Sequence, residues 1–147
     1  MTDIREAILA RLLAIGEELD VFTTVARDLI EVTDSQLPAL VVLEGDEEAN
    51  DSDPFNRPTT SPRRVTMTPE LHIAVQEASA DIGAELGSRR AALIKAIVSD
   101  TALQGLVING IGIRYRGLAS SLAAGRKMTA DMGLNFAFTY VLKPDEL

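Results

Sequence analysis

The chain has 147 residues, of which 46% are hydrophobic, a formal net charge of −8, one histidine and no cysteine. That length suits one domain able to bury roughly 70% of the surface its unfolded chain exposes. The acidity argues against general nucleic-acid binding, and the missing cysteines exclude disulfides and thiolate metal sites.

A charged start, Met-Thr-Asp-Ile-Arg-Glu, is not that of a signal peptide, and no window reaches the roughly 20 apolar residues of a membrane span. A soluble protein kept in the cytosol, without membrane contact, is expected. Ile4, Ile8, Leu12, Ile15 and Leu19 recur at spacings of three and four, which predicts an amphipathic helix over about Asp3 to Glu18. Asp3 and Glu6 resemble a capping box at its start. Val21 to Arg27 is rich in β-branched residues and reads as a first strand, Leu29 to Pro38 is ambiguous, and Ala39 to Leu43 is a short second strand.

The stretch Glu44 to Arg64 interrupts this pattern. Glu44, Asp46, Glu47, Glu48, Asp51 and Asp53 put six acids within ten residues, and Pro54, Pro58 and Pro62 come next with Arg57, Arg63 and Arg64. The whole stretch is expected to be a long acidic, proline-rich loop, and loops of that length within a domain are usually functional or disordered. Val65, Met67, Leu71, Ile73 and Val75 then alternate with Thr66, Thr68, Glu70, His72 and Gln76, the pattern of a half-buried strand. Pro69 lies in its middle, so this strand should sit at an edge, carry a bulge or break there.

Ser79 and Asp81 open a second helix with Ile82, Leu86, Leu93, Ile94, Ile97 and Val98 facing inward. Gly83 and Gly87 each cost it about 1 kcal/mol relative to alanine. Close approach to the sheet or to a neighbouring subunit would account for them. Ile111, Ile113 and Tyr115 mark one more strand, Leu134 to Leu142 the strongest in the chain, and Gly117 to Gly133 between them reads as a mobile loop. The order α-β-β-β-α-β-β predicts an α+β domain spanning residues 1–147. Four to five strands would form a mainly antiparallel sheet with two helices on one face.

No constellation points to catalysis. His72 lacks convergent partners and reads as a surface histidine, and Ser120-Ser121 has neither an elbow nor a paired base. Asp46, Glu47, Glu48, Asp51 and Asp53 lack the ordered spacing of a calcium loop, so a solvated or partner-docking acidic segment is the better account. Gly110-x-Gly112 has no third glycine and no helix after it, against a phosphate loop. No catalytic residue, metal or cofactor is therefore expected. A charge asymmetry remains: Arg114, Arg116, Arg126 and Lys127 fall in a segment with no acid between Asp100 and Asp131. Opposite patches on one chain can pair between copies in a head-to-tail ring, or they can form ordinary surface ion pairs.

The layout resembles the tail terminator (minor tail protein U-like, tail completion) proteins of long-tailed bacteriophages and gene transfer agents. The resemblance rests on the helix Ile4 to Leu19, the strand Val21 to Arg27, and Leu37-Pro38-Ala39-Leu40-Val41-Val42 leading into the acidic turn Glu44-Gly45-Asp46-Glu47. The long strand Val65 to Val75, the helix ending Ile94-x-x-Ile97-Val98-Ser99-Asp100, and the closing strand Leu134 to Tyr140 complete it. It implies a non-enzymatic virion protein, assembled in the host cytoplasm, that forms a homo-hexameric ring on the head-proximal end of the tail tube. Such a ring stops tube polymerisation and presents the surface that neck proteins join, while DNA passes through its bore without specific binding. On that reading the partner contacts are sought among Asp46, Glu47, Glu48, Asp51, Asp53, Arg57, Arg63, Arg64, Arg114, Arg116, Arg126 and Lys127. Two other readings compete, a different neck or tail-completion protein and a small ligand-binding or regulatory α+β domain.

Overall fold

A computed structural model describes residues 3–29, 31–49, 58–77, 81–123 and 128–147. In chain order these form α1 (Ile4–Leu19), β1 (Thr24–Arg27), β2 (Ala39–Ala49), β3 (Arg63–Glu77), α2 (Ile82–Val98), α3 (Thr101–Leu106), β4 (Ile113–Ala123) and β5 (Met128–Leu142), with short 3-10 turns at 34–36, 108–110 and 144–146. The fold is α+β, and its five strands lie in the order β1-β2-β3-β5-β4. The sheet is mixed: β1 runs parallel to β2, because the connection between them returns the chain to the same end, and every other pair is antiparallel.

Helix α1 forms where its period predicts, and Asp3 caps it by accepting the Arg5 N–H at 3.0 Å. Glu6 takes no reciprocal part in the cap and bonds Arg27 instead. Ile8, Leu9, Leu12 and Ile15 of α1 and Ile82, Leu86, Leu93 and Ile97 of α2 pack in one cluster with alternate residues of the sheet. Those are Leu40 and Val42 of β2, Val65, Met67, Leu71, Ile73 and Val75 of β3, and alternate positions of β5 from Ala130 to Tyr140. Since strand side chains alternate between faces, the α-helices cover one face of the sheet and, among the described residues, leave the other without an α-helix. Gly16 lets α1 come close, for a Cβ there would press on Leu40 and Val25.

Four expectations change. The acidic stretch is only partly loop, because β2 continues through Glu44 to Ala49 and β3 begins at Arg63. A sheet neighbour, β3, supplies the ladder, and β1 pairs only with Ala39 to Val42, so exposed acids are tolerated on the far half of β2. Strand β3 lies in the centre of the sheet, and the bulge sits in β2, where Glu44 and Gly45 stand opposite the single Pro69. A proline offers no donor, and the extra residue relieves the mismatch. Gly117 to Gly133 is mostly strand, since β4 and β5 pair from Ile113↔Phe138 to Ala123↔Thr129.

The fourth change concerns α2 and the segment after it. Val98 is 43% exposed, and a Cβ at Gly83 or Gly87 would meet nothing within 4 Å, so neither glycine serves a close approach within the chain. Short α3, absent from the expected order, adds a third helix. Its cap Asp100 accepts the Leu103 N–H at 2.9 Å, and Arg11 of α1 grips the same carboxylate at 2.9 and 2.7 Å. One carboxylate thus ties α3 to α1.

Candidate assembly edges and the helix-free face

Of the residues proposed from sequence for partner contacts, Asp51, Asp53, Arg57, Arg126 and Lys127 lie outside the described residues. The rest are placed by register. Asp46 pairs with Thr68 and Glu48 with Thr66, so both acids share the helix-free face and both are exposed. Glu47, one residue between them, turns to the helix-bearing face and accepts a hydrogen bond from the Tyr140 hydroxyl. Arg63 sits opposite Leu142 toward the helix side, while exposed Arg64 sits opposite Val141 on the other.

Glu44 is engaged within the chain. It accepts from Arg27 and lies 3.9 Å from Arg5, and Arg27 also donates to Glu6 at 2.7 and 3.0 Å. The Arg27 hydrogen bonds hold the Glu6 carboxyl below its ordinary range, and Glu6 raises the Arg27 guanidinium in return. This cluster engages the Glu44 side chain within the copy and leaves the outer main-chain groups of the segment untouched.

The arginines stand across the sheet. Arg114 pairs with Ala137 on the helix-free face, and Arg116 is the extra residue of a second bulge, because Tyr115 pairs with Phe136 and Gly117 with Asn135. Both are exposed. Among the described residues, no ion pair or side-chain hydrogen bond engages Asp46, Glu48, Arg114 or Arg116. The register carries a single row over the sheet from Asp46 through Thr68 and Ala137 to Arg114. At about 4.8 Å per strand the two charges stand roughly 14 Å apart, too far for direct contact. The structure therefore does not bring the acids and arginines together within one copy. It sets them on opposite margins of one face.

Elsewhere on that face lies a feature that sequence reading missed. A cavity of about 610 Å³ is lined by Leu29, Val32, Leu37, Val41, Leu43 and Ala74 among its apolar residues, with Asp34, His72, Ser121, Thr129 and Asp131 as its polar ones. The β1–β2 connection forms one wall. His72 Nε2 stands 2.8 Å from Glu70 Oε1, and the Ser121 hydroxyl donates to Asp131 at 2.7 Å. Gly133, paired with His72, leaves the room that Glu70 and His72 occupy. The available signal was Leu29, Val32 and Leu37, three apolar residues in a segment with neither helical nor strand period.

No helix among the described residues is long and apolar enough to cross a membrane. No protein-family model matches the chain, and no curated protein matches its sequence.

Proposed function

We propose that this chain is a structural protein of a phage-type virion that forms a ring on the head-proximal end of the tail tube, ends tube polymerisation and offers the surface to which the neck joins. One observation carries the reading: a sheet with unpaired acids on one margin and unpaired arginines on the other. Such a subunit shows unlike surfaces to its left and right, the requirement of a heterologous contact that closes into a ring. Complementary margins also fix register and exclude wrong partners. The resemblance in layout to tail terminator proteins supplies the biological setting, and the role needs no catalytic residue, metal or cofactor. A net charge of −8 suits a bore through which DNA slides, because a basic lining would hold the phosphates.

Size-exclusion chromatography with light scattering, run with and without tail tubes that lack a terminator, tests the reading. A ring in solution or at tube ends is expected. A monomer at every concentration that also leaves tube ends bare overturns it. Binding to the head connector rather than to the tube would move the chain to a different neck position in the same virion.

The cavity on the helix-free face favours a second reading, a ligand-binding or regulatory domain. Its volume lies in the range of small-molecule sites, and apolar walls with a few convergent polar groups are their usual lining. A small-molecule screen by thermal shift separates the two, for a ligand that binds the native state raises the melting temperature as its concentration climbs above Kd.

A further inference from the structure

The ring reading says that copies associate; the sheet says through which atoms. Resting on that reading, we propose that neighbouring copies join main chain to main chain, the far half of β2 (residues 43–49) of one copy pairing antiparallel with residues 113–117 of β4 in the next. The sheet then runs on from subunit to subunit.

Four observations converge on this joint. First, both strands are margins. β1 covers only Ala39 to Val42 of β2, with Asp28 N–H donating to the Val42 carbonyl at 3.0 Å as the last bond on that side. Beyond it β2 has no strand neighbour except β3 among the described residues, and β4 has none except β5. Unpaired strand margins present rows of N–H and C=O groups that template another strand.

Second, the directions fit. Three successive antiparallel pairings, β2 with β3, β3 with β5 and β5 with β4, leave β2 and β4 pointing opposite ways. A copy rotated about an axis parallel to the strands keeps its own direction, so its β4 arrives antiparallel to β2. Cyclic symmetry therefore yields the more stable kind of pairing with no copy inverted.

Third, the register fits. Asp46 and Arg114 lie in the same row, so a copy joined level places Arg114 directly across from Asp46, on the same face. Opposite charges so placed stabilise a strand pair. Fourth, the ends of the joint are marked. β1 occupies the margin beyond Val42, and β4 carries its extra residue, Arg116, just before Gly117, whose φ of 132° few side chains tolerate. A bulge bends its strand at that point, which lets the remainder of β4 clear β1.

The absence of cysteine makes the test direct. In the full chain carrying both Asp46→Cys and Arg114→Cys, mild oxidation should give a ladder of covalent oligomers on a non-reducing gel, since Cα atoms across an antiparallel pair stand at disulfide distance. Mixing the two single-cysteine variants should stop at dimers. Asp46→Arg and Arg114→Asp should each raise the concentration needed for assembly at least tenfold, and their combination should restore it. For the unaltered chain, hydrogen exchange should show the amides of residues 113–117 slowing on assembly. Assembly without the ladder, without rescue and without slowing overturns this joint and leaves the ring standing. Failure to assemble in solution or on tube ends overturns the ring and the joint with it.

Discussion

Asp100 joins two elements through one carboxylate. It caps α3 at the Leu103 N–H and receives two hydrogen bonds from Arg11, and these, chiefly the Arg11 pair, hold its carboxyl below the ordinary range. A depressed folded-state pKa contributes stability that is fully present above the unfolded value, about 3.9, and is lost as pH falls through the folded value. Acid unfolding should therefore show a component beginning below about pH 4 that Asp100→Asn removes. At neutral pH, Asp100→Ala should cost about 1 kcal/mol from the cap alone, read by urea unfolding. Gly45 is another residue whose identity is dictated. Its φ is +68°, and a Cβ would fall against the Thr68 carbonyl, so Gly45→Ala should lower stability by about 1–3 kcal/mol or more, with an unchanged denaturant slope. In the sequence Pro69 implies an edge position, a bulge or a break in its own strand. That the bulge would fall in the partner strand, on Gly45, is decided only by the pairing.

At the scale of elements, periodicity read the helices and the central strands well. Every apolar residue named for β3 is buried, and so are Ile82, Leu86, Leu93 and Ile97 of α2. Val98 departs from the expected face because it comes directly after Ile97 in the last turn of α2, where one residue's rotation turns a side chain outward. The contrast is measurable: Leu93→Ala should cost about 2–5 kcal/mol, whereas Val98→Ala should change stability by less than about 0.5 kcal/mol. Short α3 escaped because six residues with one buried apolar side chain, Leu103, show no period. The outer parts of β2 and β4 escaped for a related reason. Glu44 to Ala49 is mostly acidic and Gly117 to Ala123 mostly small, with only Leu118 and Leu122 larger, since a margin facing solvent needs no apolar alternation. Their strand state is imposed by β3 and β5, which are strongly patterned.

At the scale of the whole molecule, charge is the quantity to perturb. Reversing both Arg114 and Arg116 to Glu should raise the concentration at which rings form at least tenfold while the melting temperature shifts by only a few degrees, since exposed charges contribute little to folding. Unchanged ring formation would remove the charge argument. Ring formation should also weaken with added salt, which screens exposed pairs within about 10 Å at 0.1 M ionic strength. Residues alone determined the α+β class, the helix faces, the alternation of β3 and β5 and the excess of acid at one segment and base at another, because burial imposes periodicity and charge is additive along a chain. Only the tertiary structure decided that the acidic segment is partly strand, that acids and arginines occupy opposite margins of one face, and that a cavity lies under the β1–β2 connection. Those are properties of pairing between residues distant in sequence. Register turns a composition into a surface, and nothing in local pattern specifies which strand will lie beside which.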